Sequence, residues 1–313
     1  MSWDRVERLI GASNLALLAS KKVAVIGLGS GGGYVALTLA MSGVGSFVLI
    51  DDDILEPTNL PRHVADARYL GQPKAQAVAD LIMHRNPKAQ VEVRIGRLEG
   101  HMDALNGVDL VVSGIDNEPS KYILNEACLD RHLTAVYAGV YERGEGGDVV
   151  IIHPYDGCCY ACWASQLRED LGTIKTNESG ELDYGMIGKE GTLEAEPGLW
   201  LHVARIAGTQ ADMALNELLS GTPVHRTMPG NTVILANTAL EILEGHVTPP
   251  YSAVWTTIPR DPHCLVCGGA YQQEAALEAT LQAEDDDTPL SMKDMLHAAG
   301  LELEAEEHQD EQK

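Results

Sequence analysis

A glycine-rich segment near the amino terminus constrains the fold more than any other feature. The sequence GLGSGG at residues 27–32 follows an apolar run at residues 23–26 and precedes a segment of helical composition at residues 34–41. In this position the pattern Gly-x-Gly-x-x-Gly forms a tight turn that brings backbone N–H groups and a helix amino terminus close to a phosphate. A second strand is predicted at residues 47–50, and Asp51 at its end can accept hydrogen bonds from ribose. We therefore expect a nucleotide site, for which NAD is the ordinary ligand; the alternative is a turn that only allows close helix packing.

Beyond this unit, short apolar runs alternate with segments of helical periodicity. The strand-like runs lie at residues 91–95, 108–113, 134–138, 148–152 and 253–257, and the helical segments lie at residues 72–85, 118–131, 199–219 and 232–243. This alternation predicts an α/β fold, with a Rossmann-like, mainly parallel sheet and helices on both faces. Residues 170–192 are polar and rich in glycine without a sustained period, which predicts a mobile loop.

Acidic residues are concentrated at the carboxyl end. The formal net charge is −24, and residues 271–313 hold 13 Asp or Glu against two Lys, which contributes −11 of that charge. The balance argues against nucleic acid as a partner, because phosphate neutralisation needs clustered Lys and Arg. We expect residues 1–270 to form one domain and residues 271–313 to form a solvated, disordered tail. An acidic docking arm is the alternative interpretation of the tail.

The composition favours a globular protein away from membranes. Hydrophobic residues make up 45% of the chain, which is enough for a sizeable core. No segment approaches the roughly 20 consecutive apolar residues that cross a bilayer, and the first residues lack the apolar stretch of a signal peptide. We therefore expect a cytoplasmic protein without a membrane partner.

Two segments that follow Asp51 carry cations close to the end of the second strand. The sequence PTNLPRH at residues 57–63 contains Asn59 and Arg62, and LGQPKA at residues 70–75 contains Lys74. A dinucleotide gains little from two fixed cations here, whereas a triphosphate gains stabilisation of charge on the departing pyrophosphate. Arg binds phosphate oxygens through its planar fork, and Lys acts as a point charge. These residues favour ATP over NAD.

With these motifs the chain resembles the ubiquitin-activating-type adenylyltransferase family, which includes ThiF, MoeB and HesA. The shared motifs occur in the family's order and at nearly its spacing: GLGSG at 27–31, SGVG at 42–45, Asp-x-Asp at 51–53, Thr-Asn-Leu-x-Arg at 58–62, GQPK at 71–74, NP at 86–87 and IDN at 115–117. The resemblance covers residues 5–269. It implies activation of a carboxylate by ATP with Mg²⁺, which joins the carboxylate to AMP and releases pyrophosphate.

Site residues are carried over from this resemblance position by position. It assigns nucleotide phosphates to Gly27, Gly29, Ser30, Gly31, Asn59, Arg62 and Lys74, ribose to Asp51, and Mg²⁺ to Asp116 beside Asn117. The expected catalytic groups are Arg62, Lys74, Asp116 and Arg8. The alternative for Asp116 and Asn117 is the N-cap of the helix that begins near Glu118, and one residue can do both. Asp52 and Asp53 are less certain, and one of them is expected to be a solvated strand end.

The amino-terminal segment implies a dimer. In the family, one subunit commonly places an Arg from this segment in the nucleotide site of its partner. Arg8 is the best match and Arg5 is the second, so the resemblance implies a homodimer. The alternative is an ordinary surface Arg.

Four cysteines form two Cys-x-x-Cys pairs, Cys159 with Cys162 and Cys264 with Cys267. Each pair can supply two thiolates to a tetrahedral Zn²⁺. The pairs are too far apart in sequence for a local zinc finger, and the resemblance implies that the fold brings them together in one structural site. A disulfide or redox pair is the alternative, which the lack of an export signal disfavours.

The remaining cysteines determine whether a covalent enzyme intermediate can follow the adenylate. Cys128 lies on an apolar helix and is expected to be buried, while Cys158 is a spectator thiol, an alternative ligand or a nucleophile, of which we favour the spectator. Many family members hold a nucleophilic Cys in the loop after the first zinc pair, but residues 163–263 contain none. The chain is therefore closer to MoeB-like enzymes, which stop at the adenylate.

The expected substrate is the C-terminal glycine of a ubiquitin-like or sulfur-carrier protein that ends in Gly-Gly. Alternatives within the family are a peptide carboxylate or a modified-tRNA carboxylate. From other classes, an NAD-dependent oxidoreductase explains the glycines and Asp51 but not the two cations or the cysteine pairs, and a noncatalytic pseudoenzyme subunit does not explain intact Arg62, Lys74 and Asp116.

Overall fold

Most strands and helices lie close to the predicted segments. The computed structural model describes residues 2–171, 199–243 and 246–269. The helices are α1 Asp4–Ile10, α2 Ala12–Ser20, α3 Ser30–Met41, α4 Lys74–Arg85, α5 Glu118–Asp130, α6 Tyr160–Leu171 and α7 Trp200–Leu218. The strands are β1 Lys22–Ile26, β2 Ser46–Asp51, β3 Gln90–Ile95, β4 Leu110–Ser113, β5 Ala135–Val140, β6 Gly146–Ile152, β7 Thr232–Ala236, β8 Leu240–Leu243, β9 His246–Thr248 and β10 Ala253–Thr256.

Eight strands form one sheet in the order β10-β7-β6-β5-β4-β1-β2-β3. The pairs from β5 to β3 are parallel, and β6, β7 and β10 are added antiparallel. The chain steps one way along the sheet from β1 to β2 and the other way from β4 to β5, so right-handed crossovers put α3 and α5 on opposite faces. Helix α3 packs against α4 and α7, while α5 packs against α6. The predicted fold class is confirmed.

The strand order reverses between β1 and β4, and this reversal positions the site. These neighbours both run parallel to β2, so their carboxyl ends meet at one edge of the sheet. In open α/β sheets a crevice for ligands forms at this edge, where helices leave in opposite directions. Gly27 follows β1, Asp51 ends β2, and Gly114 follows β4.

Three glycines allow backbone segments at this edge of the sheet to touch. Gly27 has a φ of +85°, in the left-handed region that favours glycine. A Cβ on Gly32 or Gly114 would collide with the carbonyl oxygen of Gly27, so the end of β1, the first turn of α3 and the end of β4 touch through backbone. This contact explains why α3 begins at Ser30, four residues before the predicted start. Glycine is a weak helix former, but here close packing outweighs that cost.

One predicted helix is wrong. Residues 232–243 form strands β7 and β8 rather than a helix. All five residues of the run TVILA in β7 are buried, so both faces of the strand are covered, and its two sides pair with β6 and β10. A continuous apolar run that is buried on both faces has no two-residue alternation, and its periodicity does not distinguish it from a buried helix. Its β-branched residues are the signal that favours a strand.

Residues Met1–Arg260 form one compact unit, and a second unit begins at Asp261. In the second unit, the N–H of Cys264 donates to the carbonyl oxygen of Asp261, and the N–H of Gly268 donates to that of Cys264. The predicted loop from residue 172 onward and the acidic tail at residues 271–313 lie outside the described residues. Among the helices that the structure describes, none combines the length and the apolar character needed to cross a bilayer.

Candidate functional site

The glycine-rich turn presents an open helix amino terminus. Gly29 is the N-cap of α3 and forms no side-chain capping bond, so the first N–H groups of the helix point outward without a side-chain partner at the cap. A Cβ on Gly29 would have no neighbour within 4 Å, and one on Gly31 would only reach van der Waals contact with Val203 and Ala207. Gly27, Gly29, Ser30 and Gly31 thus line a space in which a phosphate can meet the positive end of the helix.

Asp51 organises this turn from the end of β2. One carboxylate oxygen accepts the N–H of Leu28 at 2.6 Å, and the other accepts the N–H of Asp53 at 2.9 Å. Burial raises the pKa of the Asp51 carboxyl above its usual value, although the two backbone hydrogen bonds and nearby Lys74 oppose the shift. Its contact with ribose stays a prediction.

Lys74 forms an ion pair with Asp53. It is the first residue of α4, and its Nζ atom lies 2.6 Å from Oδ2 of Asp53. The Lys74 side chain is 11% exposed, whereas that of Asp53 is 64% exposed. Asp53 therefore restrains the ammonium group of Lys74, a contact that the pattern Asp-x-Asp did not reveal. Asp52 instead pairs with Arg97 at the surface, as expected of a solvated strand end.

Asn59 and Arg62 lie on a short 3-10 helix, Pro57–Arg62. The Asn59 side chain accepts the N–H of Glu56 at 2.9 Å and closes a capping box with it. Arg62 ends this helix, is exposed, and forms no salt bridge with any residue that the structure describes. Its guanidinium is available to an anion at the sheet edge.

After the end of β4, two neighbouring residues take the two predicted roles: Asn117 caps a helix, and Asp116 is left as the candidate Mg²⁺ ligand. Asn117 is the N-cap of α5, and its Oδ1 accepts the N–H of Ser120 at 3.0 Å. Asp116, one residue earlier, is exposed and accepts no hydrogen bond from the described part of the chain. Its carboxylate therefore keeps both oxygens for a hard cation, and such ligands suit Mg²⁺ bound to phosphates.

Arg8 is not brought to the site of its own chain. It lies on α1, is exposed, and pairs with Asp4 at 3.0 Å. A cavity lined in part by Glu7, Gly45 and Lys88 joins α1 to the region where β2 and β3 begin. That is the edge of the sheet opposite to Asp51, about 20 Å away for a six-residue strand. Arg5 lies on the same helix, so any role of either Arg at a nucleotide site requires a second copy of the chain.

The first cysteine pair has the geometry of two ligands of one metal ion. The Sγ atoms of Cys159 and Cys162 are 3.7 Å apart. Four thiolates at about 2.3 Å from a tetrahedral Zn²⁺ are about 3.8 Å from each other. Cys159 and Cys162 therefore fit two positions of such a site, and its completion by Cys264 and Cys267 to a structural site without an open position stays a prediction.

The other two thiols are buried. Burial raises the pKa of the Cys128 thiol to about 12, and the residue lies on α5 as predicted. Cys158 is 2% exposed, and its sulfur accepts a hydrogen bond from the Asn231 amide at 3.3 Å. A thiol without access to solvent is a poor nucleophile.

The sequence alone assigns no role to His63, which follows Arg62, but the residue contacts the glycine turn. Its ring is 6% exposed, and Nε2 lies 2.7 Å from the carbonyl oxygen of Leu28. The only sequence signal was that His stands where Gln is common in the family that the chain resembles.

The sheet, the glycine turn and the groups at its edge define a Rossmann-like nucleotide-binding protein. Residues 4–288 match the ThiF family, and the chain belongs to that family.

Two curated relatives extend this comparison. The chain is 34% identical over 169 residues to the SAMP-activating enzyme E1 of Haloferax volcanii, which covers 53% of this chain and 61% of that protein. It is 30% identical over 158 residues to ubiquitin-like modifier-activating enzyme 5 of Caenorhabditis briggsae, covering 46% of this chain and 37% of that protein. The matches thus span less than two thirds of each relative's length.

Among solved structures, MccB of E. coli with ATP superposes with a TM-score of 0.59 at 19% identity. The match covers 82% of this chain and 69% of MccB. At this identity the likeness concerns the fold alone.

Proposed function

We propose that this protein is an ATP-dependent adenylyltransferase that activates a carboxylate. One observation carries the proposal: a single edge of the sheet combines an open helix amino terminus, two cations and an exposed carboxylate at a strand end. A triphosphate with Mg²⁺ uses all of these groups. Binding of a nicotinamide dinucleotide would explain the glycine turn and Asp51 but not Arg62, Lys74 and Asp116.

In the proposed reaction, a carboxylate oxygen attacks the α-phosphate of ATP. A bond forms between that oxygen and phosphorus while the bond to the β-phosphate oxygen breaks, giving an acyl-adenylate and pyrophosphate. No general base is needed, because a carboxylate is already ionised at neutral pH. The protein supplies alignment and charge stabilisation, which can account for large rate enhancements.

Each side chain has one task in this scheme. The turn with Gly27, Gly29, Ser30 and Gly31 binds phosphates, together with Asn59, and Asp51 binds ribose. Arg62 and Lys74 stabilise the charge that builds up on the departing pyrophosphate. Asp116 would hold Mg²⁺, which neutralises phosphate charge when bound, and Asn117 fixes the backbone that carries Asp116. Arg8 acts at the partner's site in a homodimer.

The proposed substrate is the C-terminal glycine of a ubiquitin-like or sulfur-carrier protein that ends in Gly-Gly. The names of the two curated relatives support this class, since they activate SAMP and a ubiquitin-like modifier. Because residues 163–263 lack cysteine, the product remains a noncovalent adenylate. A structural Zn²⁺ at the four cysteines completes the scheme, and the reaction takes place in the cytoplasm.

Exchange of labelled pyrophosphate into ATP tests the proposal. The purified chain is incubated with MgATP and, in separate arms, with small Gly-Gly-ending proteins encoded beside it, with peptides and with tRNA. We expect exchange with one such protein and none with the same protein lacking its last glycine. Exchange in the peptide or tRNA arm alone replaces the substrate class. Reduction of NAD with no exchange in any arm refutes adenylation.

A further inference from the structure

Two side chains hold Leu28, the second residue of the glycine-rich turn, through its backbone. Its N–H donates to Oδ2 of Asp51 at 2.6 Å, and its carbonyl oxygen accepts a hydrogen bond from Nε2 of His63 at 2.7 Å. The Leu28 side chain is fully buried. The turn is therefore fastened from both sides, by the end of β2 and by the residue that follows the 3-10 helix Pro57–Arg62.

The second ring nitrogen of His63 determines its protonation. The N–H of Ala65 points at Nδ1 from 3.0 Å. A backbone N–H can only donate, so Nδ1 must be the unprotonated nitrogen, and the single proton of a neutral ring lies on Nε2. The two hydrogen bonds, from Ala65 to Nδ1 and from Nε2 to Leu28, are therefore made together only by the neutral ring with its proton on Nε2. With 6% of the residue exposed, water does not replace either partner.

We propose that His63 is a positioning residue for nucleotide binding, which in its neutral Nε2–H form fixes the carbonyl of Leu28 and so the turn that receives the phosphates. The role rests on the proposed function. His63 does not touch the nucleotide in this scheme. It acts through Leu28, whose neighbour Gly29 is the N-cap of α3.

The surroundings of His63 oppose its protonation. Burial lowers the pKa of the imidazole below its usual value, and the positive charges of Lys74 and Arg62 lower it further, while the bond to Leu28 works in the other direction. Asp51 lies on the far side of Leu28, where both of its oxygens accept backbone N–H groups. A protonated ring could still donate to Leu28, but its second N–H would point at the N–H of Ala65, so the ring would have to shift away from both partners. Protonation would also add a cation beside Lys74 and Arg62.

The direction of the His63 pKa shift determines how the proposed effect on nucleotide binding depends on pH. Since burial lowers the pKa of the His63 imidazole below its usual value of 6.5, the positioning contribution is complete at pH 6.5 and above and is lost as the pH falls through that lowered pKa. Gln provides the conservative variant, because its amide can donate to Leu28 but does not titrate. His63→Leu removes the donor, and His84→Gln on the exposed surface of α4 is the matched control.

The experiment measures MgATP affinity calorimetrically on the full chain between about pH 8 and about pH 4.5, a range that extends well below the usual pKa of His. We expect wild type and His63→Gln to agree within about threefold at the upper end, and wild type to bind roughly tenfold more weakly than His63→Gln at the lower end. Protonation of ATP itself affects both proteins equally and cancels in the ratio. His63→Leu should bind roughly tenfold more weakly than His63→Gln throughout, so that it approaches wild type in acid, and His84→Gln should follow wild type.

Three outcomes would overturn the role of His63: a ratio of wild type to His63→Gln that does not change with pH, tighter binding by wild type in acid, or a ¹⁵N spectrum in which the ring proton lies on Nδ1. If His63→Leu fails to fold, the Gln ratio and the spectrum still decide. Wild-type protein that binds no MgATP at any pH refutes the proposed function itself, whereas binding with an unchanging ratio refutes only the inference about His63.

Discussion

Two cations at the sheet edge differ in how they are held, and both are expected to act on phosphate. Arg62→Ala and Lys74→Ala should each cost about 2.7 to 4 kcal/mol in transition-state stabilisation, the range for a single preorganised donor. The ion pair of Lys74 with exposed Asp53 contributes at most about 1 kcal/mol to folding, so unfolding does not account for such a loss. Pyrophosphate exchange rates measure it.

Arg68→Ala is the matched control for this pair. Arg68 is 73% exposed and pairs with Asp66, which lies outside the proposed machinery. Its removal should leave exchange unchanged. Equal losses in all three variants would mean that net positive charge, rather than the position of Arg62 and Lys74, governs the reaction.

The buried thiols predict that no covalent enzyme intermediate forms. Enzyme, MgATP and the activated carrier are separated on a nonreducing gel, with and without added thiol. We expect no thiol-sensitive band, because Cys128 and Cys158 are buried and residues 163–263 contain no cysteine. A band that disappears in Cys158→Ala would make Cys158 the acyl acceptor and contradict its interpretation as a spectator.

At the scale of elements, two glycines at the start of α3 are expected to affect different properties: Gly32 the stability of the fold and Gly29 the affinity for MgATP. Gly32→Ala forces a Cβ into the Gly27 carbonyl and should destabilise the protein by about 1–3 kcal/mol, as overpacking does. Gly29→Ala meets no atom within 4 Å, so the melting temperature should stay close to that of wild type. MgATP affinity should nevertheless fall in Gly29→Ala, because the added methyl group occupies the space proposed for phosphate.

Thermal unfolding and calorimetry on the two variants check this contrast. A Gly29→Ala protein that binds MgATP like wild type would show that phosphate does not approach the turn at this point. Unchanged stability in Gly32→Ala would contradict the close contact between the end of β1 and α3.

At the scale of the whole molecule, the four cysteines predict one Zn²⁺ per chain. Cys267→Ser should lose the metal and lower the melting temperature, since metal binding is coupled to folding and joins segments far apart in sequence. Cys128→Ala, which removes a buried thiol outside the cluster, should keep one metal per chain. Elemental analysis of reduced protein measures both, and wild type without metal would refute the zinc assignment.

Mixed dimers test whether Arg8 acts on a partner. Arg8→Ala and Asp116→Ala should each be inactive alone, because every site in either homodimer lacks one group. After random exchange of subunits, about one quarter of the sites would combine an intact Asp116 with an intact Arg8 from the other chain. Exchange activity should return to about that fraction. No recovery, although subunits mix, would place Arg8 outside the site.

Local patterns in the sequence were enough for much of this molecule. The glycine turn, the order of strands and helices, the burial of Cys128 and the two cysteine pairs all depend on residues a few positions apart, where periodicity and spacing reflect backbone geometry directly. Tertiary structure alone decided the rest. It turned residues 232–243 into strands, since β7 gains partners on both sides. It also joined Asp53 to Lys74, and His63 to Leu28, pairs 21 and 35 residues apart in the chain. Such contacts depend on which segments meet at one edge of the sheet, and no local period records that.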